Sequence, residues 1–73
     1  MTQIQSVLFD REYYTPEQAI NIIKKSKNFI FKKIDITKNK IRFRQHDPDY
    51  NKYHYITKNI PNKHMELIIG YEK

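Results

Sequence analysis

Only one stretch of this chain has the period of a helix, and that limits what the rest can become. At Thr15-Pro16-Glu17-Gln18, Thr15 is placed to cap a helix by accepting a hydrogen bond from the Gln18 amide. Pro16 falls at the first helical position, where its missing N–H does no harm, and Gln18 completes a capping box. Ala19, Ile20, Ile22 and Ile23 then form one apolar stripe, with Lys24, Lys25 and Lys27 suited to the negative end of the dipole. The pattern predicts one amphipathic helix over about Pro16 to Ser26. A single helix covers one face of a sheet and leaves the other to water.

The remaining apolar residues mostly alternate, which is the period of half-buried strands. Ile4 to Phe9 reads as a strand with either Ile4, Ser6 and Leu8 or Val7 and Phe9 turned inward. Apolar residues on both parities suit a strand that is either central in the sheet or covered at one end. Phe29 to Thr37 reads as a second strand, but Phe29 and Phe31 have the opposite parity to Ile34 and Ile36. Either a bulge near Lys32 shifts the register, or the phenylalanines cover the helix end before the strand begins. Lys38-Asn39 is a candidate two-residue turn, since Asn tolerates a positive φ.

The next strand, Ile41 to His46, holds the sharpest alternation, with Ile41 and Phe43 against Arg42 and Arg44. It stops at Asp47-Pro48, a turn sequence. The outer face of this hairpin would carry Lys33, Asp35, Arg42 and Arg44. Tyr53 to Ile60 reads as a strand or an extended loop on the sheet edge. Met65 to Glu72 closes the chain as a strand, with Met65, Leu67, Ile69 and Tyr71 on one face. Its Gly70 marks a bulge or a close backbone approach. The expected fold is α+β, one amphipathic helix packed on one face of a small antiparallel sheet of three to five strands, ordered β-α-β-β-(β)-β.

Seventy-three residues make one domain, residues 1–73, with stability of only ~3–5 kcal/mol. Without cysteine there are no disulfides and no thiolate zinc site, which leaves tight aromatic packing, a partner or self-association as remedies, and ten aromatic residues suit the first. No apolar run approaches the ~20 residues of a membrane helix, and Met1 to Ser6 lacks the basic start and apolar stretch of a signal peptide. The expectation is an intracellular, reducing compartment and no membrane partner. The formal net charge is +6, and it is uneven: Lys24 to Arg44 holds nine basic residues and one acid, Asp35. That favours polyanionic partners, although Lys, Ile, Asn and Tyr are also abundant in chains from AT-rich genomes.

Arg42 and Arg44 are the leading candidate site. Guanidinium groups match phosphate oxygens, and side chains two apart on a strand are ~7 Å apart, near the phosphate spacing of a single nucleic-acid strand. Lys33, Lys38 and Lys40 would extend the patch, and Tyr53 or Tyr55 would offer a stacking plate for a base. The bland alternative is that the arginines pair with Asp35, Asp47, Asp49 or Glu66. His46, His54 and His64 near Asp47 and Asp49 have no metal-ligand spacing, and an Asp-Pro-Asp turn whose carboxylates bond backbone amides accounts for that stretch. No phosphate loop or nucleophile motif is present, so neither a catalytic residue, a metal nor a cofactor is expected. Of Tyr13 and Tyr14, one is expected to staple onto the helix.

These pieces together resemble a small module that recurs in large DNA viruses and tailed phages as a short reading frame of unassigned role. The resemblance rests on Val7-Leu8-Phe9, Tyr14-Thr15-Pro16, Ile41-Arg42-Phe43-Arg44-Gln45 with its proline turn, Tyr53-x-Tyr55-x-Thr57-Lys58 and Glu66-Leu67-Ile68-Ile69-Gly70, and covers nearly the whole chain. The position of Tyr14 is often tryptophan in that pattern, in keeping with aromatic packing. The resemblance implies an α+β viral protein made in an infected cell, acting in its cytoplasm or nucleus or carried in the virion. It transfers no catalytic residue. The functional expectation is a small basic protein that binds nucleic acid, DNA or RNA, as a monomer or weak homodimer. The competing expectation is an accessory factor that binds a host or viral protein, as virion component, adaptor or inhibitor, through a sheet edge or tyrosine-rich patch.

Overall fold

Thr15 starts the helix as its place before Pro16 requires. In the computed structural model, which describes residues 1–73, the Thr15 hydroxyl accepts from the Gln18 amide at 3.2 Å and the Gln18 side chain accepts from the Thr15 amide at 2.9 Å. Helix α1 spans Pro16–Lys25 and buries Ala19 and Ile23. The Ser26 hydroxyl then accepts from the amides of Asn28 and Phe29, turning the chain off the helix.

Five strands complete one antiparallel sheet: β1 (Thr2–Asp10), β2 (Lys33–Ile36), β3 (Lys40–Arg44), β4 (Tyr53–Ile60) and β5 (Met65–Glu72). Their spatial order is β2-β3-β1-β5-β4, so β1 is central and β2 and β4 are the edges. The helix-on-sheet α+β architecture expected from the patterning is the one observed, with all five strands formed. Tyr53 to Ile60, which the patterning left between strand and loop, is an eight-residue edge strand.

A bulge in β1 resolves which of its residues face inward. The register of β1 on β5 shifts between Ile4↔Ile69 and Ser6↔Ile68, leaving Gln5 as the extra residue. Ile4 therefore joins Val7 and Phe9 under the helix, although its parity alone sets it against them. Val7, Phe9, Ala19, Ile23, Ile41 and Phe43 form the fully buried core. The Phe9 ring meets Tyr14 and Phe43 edge-on at centroid distances of 5.0 and 5.6 Å. The helix covers the middle of the sheet only, and Ile36 and Ile56 on the two edge strands remain 51% and 41% exposed.

Three expectations are corrected or decided here. The strand expected over Phe29 to Thr37 is only Lys33–Ile36, and no bulge rescues the phenylalanines. Phe29 packs on the core, and Phe31 meets Phe43 edge-on at 5.9 Å. Backbone pairing for that segment comes instead from the buried Gln45 side chain, which accepts from the Ile30 amide at 2.8 Å and donates to the Ile30 carbonyl at 3.0 Å. Lys38-Asn39 does form the tip of the β2–β3 hairpin, closed by the Thr37 amide on the Lys40 carbonyl, but without a positive φ. Positive φ values fall instead at Asn62 (64°) and His64 (52°) between β4 and β5. That turn is strapped to the helix entry: Tyr14 donates its hydroxyl to the Lys63 carbonyl at 2.6 Å, and Tyr13 stacks on His64 at 3.5 Å. Tyr14 is thus the inward-packed member of the tyrosine pair.

Gly70 is a close approach and not a bulge. A Cβ there would lie 2.7 Å from Tyr55 Cε1, on a ring whose hydroxyl is held by the Asp49 amide at 2.8 Å. Gly70→Ala is therefore expected to lower stability by about 1–3 kcal/mol through overpacking. In a Tyr55→Ala background the added methyl should cost much less, and chemical denaturation of the four proteins as a double-mutant cycle measures that coupling.

Candidate nucleic-acid interface

The alternation that sends Ile41 and Phe43 into the core leaves Arg42 and Arg44 on the helix-free face. Adjacent strands bring Asp35 opposite Arg42 and Lys33 opposite Arg44 on one side, with Leu8 and Ser6 on the other. Beyond β1, the same two rows continue through Glu66 and Ile68 of β5 to Asn59 and Thr57 of β4.

Arg42 is held by neutral oxygens. Its Nε donates to Ser6 Oγ at 3.0 Å and its Nη2 to Gln5 Oε1 at 2.9 Å, while Ser6 Oγ donates to the same Gln5 oxygen at 2.6 Å. Gln5 in turn donates from Nε2 to the His46 carbonyl at 2.7 Å. The bulge makes this possible, because it leaves Gln5 unpaired on β5 beside Ser6. No carboxylate lies within ion-pair distance of Arg42, Asp35 included. The guanidinium is thus fixed in position while its positive charge is not cancelled, and the rest of its five N–H donors have no protein partner.

Arg44 is less satisfied. Its Nη1 stands 3.8 Å from Asp47 Oδ1, a loose contact with a carboxylate side chain that is 91% exposed. Its Nε is buried without any hydrogen-bond partner. Lys33, directly opposite, has no ion pair.

The other expected contributors are dispersed. Lys40 reaches across β1 to Glu66, with Nζ 2.8 Å from Oε1. The hydrogen bond that the Lys40 amine donates to the Glu66 carboxylate holds it above its ordinary 10.5, against a partial desolvation that works the other way. Lys40 is therefore a paired cation. Lys38 sits at the hairpin tip, at the opposite end of β3 from Arg44. Tyr53 and Tyr55 lie on β4, three strand spacings or ~14 Å from β3. The Tyr55 ring covers Gly70, and the Tyr53 ring is tilted against it at 6.1 Å. Tyr50, in the turn before β4, is the freest ring of this group at 71% exposed, with its edge against Tyr55 at 5.4 Å. Lys52 Nζ lies 5.7 Å above Tyr53.

The cations of this face are therefore neither continuous nor all capped by acids. Arg42, Arg44 and Lys33 gather at one corner; Lys40 is neutralised; the tyrosines form a separate cluster at the far edge. Gln5 and Ser6, which orient Arg42, were not anticipated from sequence, although a polar pair in the midst of an apolar strand is a visible irregularity. Asp49 performs the turn role read for it, its carboxylate accepting from the amides of Asn51 and Lys52.

No family model, curated protein or solved structure was found that matches the chain.

Removing Lys40 tests the sorting of charges. Lys40→Met is expected to cost roughly 0.2–1 kcal/mol at neutral pH, the range of a partly exposed pair. Because the amine's pKa is raised on folding, that contribution is intact below about 10.5 and disappears as pH climbs through the raised value. Thermal unfolding of both proteins from pH 7 to pH 11 should show the gap closing at the alkaline end.

Proposed function

We propose that the protein binds nucleic acid through the corner of the open sheet face formed by Arg42, Arg44 and Lys33, and that it does so without catalysis. The observation that carries this reading is the Arg42 guanidinium, positioned by Ser6 and Gln5 and left without a carboxylate. A cation that served only to solubilise the surface would need no such support, since a free lysine does as well. Arg44 and Lys33 side by side add charge where cross-strand pairing normally avoids it. The uneven distribution of basic residues along the chain points the same way. An intracellular, reducing site of action goes with this reading and with a sequence that has no cysteine.

A second reading, binding of a host or viral protein, is supported by a different surface. β4 is an eight-residue edge strand, with Ile56 half exposed on one face and the Tyr50, Tyr53 and Tyr55 cluster beside its start. Long unpaired edges with little charge are natural pairing sites. Capture of one dominant protein partner, unaffected by nuclease, would favour it.

Up to about three phosphate contacts are available to Arg42, Arg44 and Lys33, so affinity should fall ~20- to 40-fold between 50 and 200 mM salt. Arg42→Gln should lower the slope of log affinity against log salt by about one, and Lys58→Gln on β4 should leave it unchanged. Mobility shifts or fluorescence anisotropy with single- and double-stranded DNA and RNA provide the measurement. Absence of binding to all four at low salt rejects the reading.

A further inference from the structure

Charge on the open face is focused, and the focus is concave. Lys32, Lys33, Arg44, Gln45, His46 and Asp47 line a notch of about 40 Å³ where β2 begins and β3 ends. That is a depression on the scale of one small anionic group, such as the three free oxygens of a phosphate monoester, and not of a base or sugar.

The charges around this notch are only partly compensated. Lys33 stands directly opposite Arg44, a like-charge cross-strand pair that opposes folding. Neither Lys32 nor Lys33 has an ion pair, and the sole acid at Arg44 is Asp47 at 3.8 Å. The buried Arg44 Nε has no partner, a condition that native structures seldom tolerate without a reason. Such local violations concentrate at functional sites.

Away from the notch the face offers a polyanion one further uncancelled cation, Arg42. The row from Arg44 continues through Ser6, Ile68 and Thr57, all uncharged, and the next row carries Glu66, already paired with Lys40. A strand laid across the sheet would leave most of its phosphodiesters without a cation. A terminal phosphate, by contrast, concentrates about −1.5 to −2 charges in one group. We infer that the Lys32–Lys33–Arg44–His46 notch is a seat for a phosphate monoester and that nucleic acid is held there by a phosphorylated end. The inference rests on the nucleic-acid reading of this face and narrows it to strand ends. The Asp47 carboxylate, now beside Arg44, is the anion that an incoming phosphate displaces.

The test uses one single-stranded oligonucleotide in three forms, 5′-phosphorylated, 3′-phosphorylated and unphosphorylated, in fluorescence anisotropy at fixed salt. One of the two phosphorylated forms should bind at least tenfold more tightly than the unphosphorylated one. That increment should vanish in Lys33→Gln and in Arg44→Gln, and should grow several-fold in Asp47→Asn, whose side chain is 91% exposed. Lys33→Gln, at an exposed position, keeps the test valid if Arg44→Gln fails to fold. In parallel, inorganic phosphate is titrated while the backbone amides of residues 32, 33 and 44–47 are followed by NMR. Equal affinity for all three oligonucleotides overturns the phosphorylated-end inference and leaves the nucleic-acid reading standing. Phosphate-induced shifts at the notch with no oligonucleotide bound support the seat and overturn the nucleic-acid reading. Neither shifts nor oligonucleotide binding overturns both.

Discussion

The extra residue in the central strand is the constraint on which both faces of this sheet depend. β1 pairs with β3 on one side and β5 on the other, so any change in its register bears directly on three of the five strands. The bulge at Gln5 lets Ile4 enter the same apolar layer as Val7 and Phe9, which extends the core toward Phe29. With strict alternation, Gln5 would lie in that layer with Val7, and Ile4 would face water. The same irregularity puts the Gln5 amide next to Ser6, where the two oxygens meet the Arg42 guanidinium. Burying Gln5 is tolerable because its side-chain oxygen accepts twice and its amide nitrogen donates to His46. Core and candidate site are thus two consequences of one backbone device.

A second economy of the fold is the use of glutamine side chains where regular structure is missing. Gln18 closes the helix start, Gln45 stands in for a strand partner to Ile30, and Gln5 anchors an arginine. In each case one amide side chain satisfies backbone or side-chain groups that a 73-residue chain has no further element to cover. Tyrosines act similarly at the other end of the molecule: Tyr14 and Tyr13 hold the β4–β5 turn, and Tyr55 fills the space above Gly70. The aromatic packing expected to replace disulfides is present, but much of it braces turns and edges as well as the core.

Charge is sorted by reach. Lys40 and Arg42 are neighbours on one face of β3, yet a flexible lysine stem crosses β1 to a carboxylate while the planar guanidinium settles on the oxygens beside it. The result is one neutralised position and one fixed positive one, two residues apart. Arg44 sits past the end of this support, with Lys33 opposite and only the exposed Asp47 near, which is why the charge imbalance gathers at that corner.

The sequence by itself determined the helix and its cap, the inward side of β3 and β5 and the two-residue tip at Lys38-Asn39, while at Gly70 it left a bulge and a close approach both open. These depend on neighbours a few residues apart, where propensity, capping and side-chain parity act directly. It also placed Arg42, Arg44 and Lys33 on one face, because cross-strand pairing in a short hairpin is nearly local. Only the tertiary structure decided that β1 is bulged, that Phe29 to Lys32 is held by Gln45 and not by a strand, and that Lys40 is paired. It likewise separated Tyr53 and Tyr55 from the arginines, since strand order inserts β1 and β5 between them. The physical reason is sequence distance. Gln5 meets Arg42 across 37 positions and Lys40 meets Glu66 from another strand, and no periodic pattern along a chain encodes which distant polar groups will share a hydrogen bond.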